Sequence, residues 1–90
     1  MDVYEAIRQM KMKSERGETF SMSFMTYSYD RGKSNGVAKV EHAKLRKKST
    51  QEANQFAEYM LNFIDMDTLE YGTCWEILLL EFDGHELELR

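Results

Sequence analysis

The spacing of hydrophobic and polar positions changes along the chain, and each change predicts a different element. From Asp2 to about Ser14 the apolar residues recur with a period near 3.6, which predicts an amphipathic helix. Asp2 is suited to cap the first turn, with Glu5 three residues later in a capping-box arrangement. Gly17 is suited to end the helix in the left-handed conformation. The chain is therefore predicted to begin with one helix.

Alternation with a period of two follows this helix and predicts a long strand from Glu18 to Tyr29. Phe20, Met22 and Phe24 share one face of this strand. After Phe24 the apolar residues move to the odd-numbered positions, beginning with Met25. A period-two pattern that changes phase predicts either a β-bulge near Phe24 and Met25 or a strand that is buried first on one face and then on the other.

The next segment contains the letters GKS at positions 32–34, which resemble the end of a phosphate-binding loop. That loop also requires a glycine at the position that Tyr27 occupies, and it must open a helix. A β pattern follows instead. Asp30–Gly36 is therefore predicted to be the turn of a hairpin, whose second strand runs from Val37 to about Lys48.

The second half of the chain predicts more strands. Phe56–Asp65 fits either a strand or a helix continuing from Gln51, and the strand is favoured because a turn and another strand follow. Thr73–Phe82 is predicted to be one strand, buried on both faces and therefore central. Asp83-Gly84 is typical of a type I′ turn, which would lead into a short charged edge strand beginning at His85.

These elements predict one α+β domain over residues 1–90. Its N-terminal helix would pack on a mostly antiparallel meander of about four to five strands. One helix covers one sheet face, whereas the segment 73–82 carries apolar residues on both. Either the sheet curls into a partial barrel or another subunit covers the second face. This shortfall is the main argument for a structural or adaptor protein that forms a homo-oligomer or binds a protein partner.

The net charge of −4 conceals a difference between the two halves of the chain. Residues 1–50 carry eleven Lys and Arg against six Asp and Glu, and residues 51–90 carry one against ten. The two halves could compensate each other as neighbouring strands, or they could form separate basic and acidic surfaces for different partners.

Candidate chemical groups are few and scattered. Cys74 is the single cysteine, and its place in an apolar strand predicts a packing role. His42 and His85 form no pair with metal-ligand spacing. An enzyme would require these histidines to converge with Asp65 and Asp67. We therefore assign no catalytic, metal-binding or cofactor-binding residue, and we predict that the protein is not an enzyme.

The acidic segment 65–70 reads DMDTLE and has part of the pattern of a calcium-binding loop. An EF-hand loop would need Asp or Asn at its fifth position and Gly at its sixth, where this chain has Leu69 and Glu70. A turn between two strands, with an aspartate capping backbone amides, is the favoured interpretation.

Location is constrained by what the sequence lacks. Its longest apolar run has four residues, too few to cross a bilayer, so no membrane association is predicted. The segment MDVYEAIRQM has neither the basic nor the apolar region of a signal peptide. One cysteine fits a reducing compartment, and a cytoplasmic location is expected.

Basic residues are concentrated around the predicted hairpin, between positions 31 and 48. Cations beside aromatic residues are typical of single-stranded nucleic-acid platforms, so a nucleic-acid-binding accessory protein is the alternative function. A solvated edge strand whose lysines prevent aggregation is the simpler interpretation, and the sequence pI of about 5.1 favours it. The candidate interaction rim consists of Tyr27, Tyr29, Arg31, Lys33, Lys44, Arg46 and Lys48.

Four blocks together cover nearly the whole chain, namely FSMSFMTYSYDRGKSNGV, AKLRKK, YMLNFIDMDT and CWEILLLEFDG. They resemble a group of small uncharacterised proteins of prophage or other mobile elements in gut anaerobes. The resemblance implies a small virion-assembly or accessory protein that acts through contacts, and it brings no catalytic residues.

Overall fold

The protein is described by a computed structural model that covers residues 1–28, 33–47 and 56–89, with the backbone alone at 27, 28 and 33–35. Within this part of the chain one helix precedes six strands, and two short 3₁₀ turns separate some of them. The elements are α1 (Val3–Glu15), β1 (Phe20–Ser28), β2 (Lys33–Leu45), β3 (Met60–Asp65), β4 (Glu70–Trp75), β5 (Leu79–Phe82) and β6 (His85–Glu86), with 3₁₀ turns at Ala57–Tyr59 and Glu76–Leu78.

Local interactions fix both ends of α1 as the sequence predicts. The Asp2 carboxylate accepts a hydrogen bond from the Glu5 backbone N–H at 3.2 Å. At the other end Gly17 adopts a φ of +77°, and the next N–H, that of Glu18, donates to the Lys13 carbonyl at 2.9 Å. These bonds satisfy backbone groups that a helix terminus would otherwise leave unpaired.

The strands form one antiparallel sheet in the order β4-β3-β2-β1-β5-β6. The predicted α+β class, with an N-terminal helix packed on an antiparallel sheet, is confirmed. The sheet has six strands where four to five were predicted, because the segment predicted as one strand over Thr73–Phe82 is two.

That single-strand prediction was wrong, and the pairing of β4 explains why. Trp75 lies opposite Met60, the first residue of β3, so no β3 backbone remains to pair with the following residues. The chain turns there through the 3₁₀ turn Glu76–Leu78. The segment is not central and not buried on both faces, since β4 is an edge strand and Ile77 is 56% exposed.

The short link between β4 and β5 requires a curled sheet. In a flat sheet these strands would be four strand spacings apart, about 19 Å. The link from Trp75 to Leu79 has four Cα–Cα steps, which reach at most about 15 Å. The sheet must therefore bend β4 toward β1 and β5, although it does not close into a barrel.

The hairpin of β1 and β2 is present, but β2 starts earlier than predicted. Its strand begins at Lys33 rather than Val37 and ends at Leu45 rather than near Lys48. Residues 33 and 34 of the GKS letters are thus strand residues, paired with Ser28 and Tyr27. Residues 29–32 and 48–55 lie outside the part of the chain that the structure describes.

The β1 irregularities lie near the predicted bulge but not on it. The ladder with β2 is continuous through Phe24 and Met25 and shifts register between Thr26 and Tyr27, with a second shift between Phe20 and Met22. The ladder with β5 shifts between Ser23 and Phe24.

The other two predictions for the second half agree with the structure. The favoured strand interpretation of 56–65 is confirmed for Met60–Asp65, preceded by the 3₁₀ turn Ala57–Tyr59. Asp83 and Gly84 have φ values of +48° and +85°, as a type I′ turn requires, and they join β5 to β6.

One hydrophobic core lies between α1 and the inner face of the sheet. The Phe24 and Phe63 rings meet edge-to-face with centroids 5.7 Å apart, and Phe20 contacts Phe82 at the same centroid distance. The buried residues of this core are Val3, Ala6, Ile7, Met10, Phe20, Met22, Phe24, Val40, Ala43, Leu61, Phe63, Cys74, Leu79 and Phe82.

Candidate interaction surfaces

Large apolar side chains remain at the surface around the link between β4 and β5. Ile77 is 56% exposed and Leu80 is 36% exposed, whereas Trp75 is half-buried with its ring 5.2 Å from that of Phe56. Tyr59, also exposed, directly precedes the residue that pairs with Trp75. We group Tyr59, Trp75, Ile77 and Leu80 by their places along the chain and beside the β3–β4 pairing, and we call them the apolar patch. The core therefore buries only some of the apolar residues of the segment 73–82.

Acidic residues accompany the apolar patch. Glu58, Glu76 and Glu81 are each adjacent in the chain to one of its members. Residues 51–89 contain no Lys or Arg at all. The segment that carries the patch therefore supplies negative charge only, which favours a partner with cations at the edge of its own contact surface.

A second group of candidate residues consists of cations that form no ion pair with a described carboxylate. Eight Lys and Arg side chains are described, and four of them are ion-paired, namely Arg8, Lys13, Arg16 and Lys39. The remaining four, Lys11, Lys44, Arg46 and Lys47, have no carboxylate within ion-pair distance among the described residues. We call these four the basic cluster. The basic cluster thus differs from the other four described cations, each of which forms an ion pair.

A cleft of about 330 Å³ lies between the last turns of α1 and the end of β2. Three members of the basic cluster line it, together with Ser14, Glu15, Leu45, Leu61 and Asn62. Lys11 comes from the helix, whereas Arg46 and Lys47 directly follow β2. Glu15 is the one carboxylate in this lining, so the cations outnumber it three to one.

Hydrogen bonds within the protein hold the walls of this cleft. Ser14 Oγ accepts from the Leu45 N–H at 3.0 Å and donates to the Met10 carbonyl at 2.8 Å. On the other side Asn62 Nδ2 donates to the Lys47 carbonyl at 3.0 Å, and the Arg46 N–H donates to the Asn62 carbonyl at 2.8 Å. The backbone that carries Arg46 and Lys47 is therefore tied to both α1 and β3.

Arg46 also stacks on an aromatic ring. Its guanidinium carbon lies 4.0 Å from the centroid of the Tyr71 ring, which belongs to β4 and is 69% exposed. Lys44 lies opposite Ile64, and Ile64 lies opposite Tyr71, so these residues form one row across three strands. A guanidinium stacked in this way keeps the donors in its plane available for an anion.

The predicted interaction rim is divided by the length of β2. Tyr27 and Lys33 lie at the hairpin end, where only the backbone is described. Lys44 and Arg46 lie eleven or more residues further along, roughly 35 Å in an extended strand. Tyr29, Arg31 and Lys48 lie outside the described residues. The structure therefore brings together Lys44 and Arg46 but does not join them to the hairpin end.

Three residues around Arg46 were not among the residues of the predicted interaction rim. Lys47 was part of the basic run but not of the rim, whereas Lys11 and Tyr71 come from elements far away in sequence. No local pattern identifies the last two, because only the packing of α1 and β4 brings them beside Arg46.

Two of the five ion pairs join the basic half of the chain to the acidic half. Lys13 contacts Asp83 at 2.7 Å, and His42 Nδ1 contacts Asp67 at 3.0 Å. The other three join neighbours within residues 1–50. Among the described residues, charge compensation between the halves is thus limited to these two pairs, and none of their carboxylates pairs with the basic cluster.

His42 and Asp67, two of the four residues that an enzyme would need to bring together, do meet. Both are exposed. The hydrogen bond to Asp67 and its negative charge raise the pKa of His42 above its ordinary value. Among the described residues no three His, Cys, Asp or Glu side chains are grouped as metal ligands would be. We therefore interpret His42 and Asp67 as a surface ion pair.

Cys74 lies in the core, as its apolar strand predicted. Its side chain is free of any disulfide and buried. Burial raises the pKa of the thiol to about 12, because the thiolate would lose its hydration, and the charge of Glu76 acts in the same direction. The thiolate, which is the nucleophilic form, is therefore scarce in the folded protein at neutral pH.

The chain has no match among protein-family models, curated proteins or solved structures. None of the described helices is both long and apolar enough to span a membrane.

Proposed function

We propose that the protein is a small non-enzymatic structural or adaptor protein that associates with further copies of itself through the apolar patch. The observation that carries this proposal is the exposure of Ile77 and Leu80 beside Trp75 on a chain that has one helix among its described residues. Burying exposed apolar area of this kind against a partner is favourable by about 25 cal/mol per Å².

Charge favours a second copy as the partner. The patch is accompanied by glutamates, and the same molecule carries elsewhere a basic cluster that has no carboxylate within ion-pair distance among the described residues. A symmetric contact of patch on patch would place glutamates against glutamates. A head-to-tail contact would instead place glutamates near the basic cluster of the next copy, and such contacts form rings or filaments.

The resemblance to small prophage proteins supports the same proposal. Virion-assembly proteins act by contact with copies of themselves or with neighbouring components. A role in such an assembly requires an interface, which the apolar patch would supply.

Sedimentation velocity over a wide range of protein concentration tests the proposal. We expect the wild-type weight-average mass to rise with concentration and Ile77→Ser to remain a monomer under the same conditions. Val37→Ser is the matched control, because Val37 is an aliphatic residue of similar exposure, 61%, on β2. A wild-type protein that is monomeric at every concentration would refute self-association, as would equal loss of association in both variants.

A further inference from the structure

We infer that the end of β2 is a binding site for single-stranded nucleic acid. The site runs from the cleft on the α1 side of the sheet to Arg46 and the Tyr71 ring, which lies on the opposite face with Lys44. Lys11, Arg46 and Lys47 would bind backbone phosphates, and the Tyr71 ring would stack with one base. This site goes beyond the proposed self-association, because it assigns a different class of partner to the basic cluster and does not use the apolar patch.

The first argument is that the cations of the cleft are not held in ion pairs with described carboxylates. Of the cleft's described polar wall groups, Ser14 Oγ and Asn62 Nδ2 are engaged within the protein, and Glu15 adds one carboxylate. Its three cations have no carboxylate within ion-pair distance among the described residues. They remain available for an anion that enters from outside, and the tied backbone of Arg46 and Lys47 keeps two of them in place.

The stacked arginine is the second argument. Contact with the Tyr71 ring at 4.0 Å limits the orientations of the Arg46 guanidinium. Its donors lie in a plane and match two oxygens of one phosphate. Ordering before binding lowers the entropic cost of the contact.

The exposed ring is the third argument, and it separates nucleic acid from an acidic peptide. Acidic side chains of a peptide would satisfy the cations equally well but have no flat ring to place on Tyr71, whereas every nucleotide carries a base beside its phosphate. Bases of a single strand are unpaired and stack on exposed aromatic side chains without sequence preference. A duplex keeps its bases stacked inside, so the Tyr71 ring favours a single strand.

The net negative charge of the chain limits the expected affinity for nucleic acid. With a net charge of −4 the protein repels nucleic acid at long range, so binding depends on the local cluster and weakens in salt. For three phosphate contacts on a single strand, the logarithm of affinity should fall with the logarithm of salt with a slope of about −2.

Fluorescence anisotropy with a labelled oligothymidylate, titrated at several salt concentrations, tests the site. We expect salt-dependent binding by the wild type, and a slope reduced by about 1.4 in the double variant Arg46→Gln, Lys47→Gln. Tyr71→Leu should lower affinity about fivefold or more with little change in slope, because it removes a stacking contact and no charge. Lys39→Gln, at a cation already paired with Glu41, is the control and should bind as wild type does.

Several outcomes would overturn the site. These are no binding at low salt, equal weakening by Lys39→Gln, unchanged affinity in Tyr71→Leu, and competition by polyglutamate as strong as competition by unlabelled oligothymidylate. Circular dichroism confirms that each variant is folded. Ile77→Ser separates the two proposals, because it should abolish self-association without lowering the affinity for oligothymidylate.

Discussion

At the scale of single residues, one core contact depends on the absence of a side chain. The Phe63 ring lies directly over Gly72 on the neighbouring strand, and a Cβ added there would come within 2.6 Å of Phe63 Cζ. The ring cannot easily move away, because it also packs against Phe24. Gly72 is therefore required by close packing and not by an unusual backbone conformation.

We expect Gly72→Ala to lower the free energy of unfolding by about 1–3 kcal/mol through this overlap. Urea denaturation followed by circular dichroism measures the change. In a Phe63→Leu background the added methyl group has more room, so the same substitution should cost less. Equal costs in the two backgrounds would show that the ring is not the cause.

The His42–Asp67 pair predicts a pH dependence. Because Asp67 raises the pKa of His42, the pair stabilises the fold fully below the ordinary histidine value of 6.5. This stabilisation is lost as the pH rises through the raised pKa.

The stability difference between wild type and Asp67→Asn should therefore be largest in mild acid and shrink toward alkaline pH. Denaturant unfolding at a series of pH values measures it. An NMR titration should show the His42 pKa lower in the variant, and an unchanged midpoint would contradict the assignment.

At the scale of elements, the turn between β5 and β6 also fastens α1 and β1. One Asp83 carboxylate oxygen accepts from the Ser21 N–H at 2.8 Å, and the other contacts Lys13 Nζ at 2.7 Å. Partial burial opposes ionisation of this carboxyl, but the bonds from Lys13 and Ser21 outweigh it and lower the pKa of Asp83. Its contribution to stability is therefore present above the ordinary value of 3.8 and lost as the pH falls through the lowered pKa.

We expect Asp83→Ala to destabilise the protein by about 1–3 kcal/mol, because the Ser21 N–H loses its acceptor and alanine tolerates the positive φ poorly. Lys13→Met removes only a partly exposed ion pair and should cost at most about 1 kcal/mol. Asp83→Asn, which keeps an acceptor for Ser21, should fall between the wild type and the alanine variant. Denaturant titrations at neutral pH rank the three variants, and a larger effect of Lys13→Met than of Asp83→Ala would refute this account.

The elements also differ in how far the sequence could predict them. Helix α1, its Asp2 cap and the Asp83-Gly84 turn follow from neighbours a few residues apart, so their signals are local. The break at Glu76–Leu78 is not local, because it depends on where β3 begins. An apolar run such as 77–80 has the same composition whether or not a paired strand continues beside it.

At the scale of the whole molecule, the same distinction applies to the candidate sites. The basic run around Lys44 and Arg46 was visible in sequence, whereas the cation of Lys11 and the ring of Tyr71 join it only through the packing of α1 and β4. The curled sheet likewise follows from a tertiary requirement, the short link between β4 and β5. The excess of apolar residues over 73–82 was visible in sequence, but the exposure of Ile77 and Leu80 beside that link was not.

Cys74 has a consequence for the covalent state of the protein. It is the single cysteine, it is buried in the core, and its thiol is protonated at neutral pH. The folded chain therefore offers oxidants no accessible thiolate and cannot join a second copy through a disulfide without opening. The state of its thiol should therefore be the same in oxidising and reducing surroundings, and an assembly of the folded chains does not depend on a disulfide.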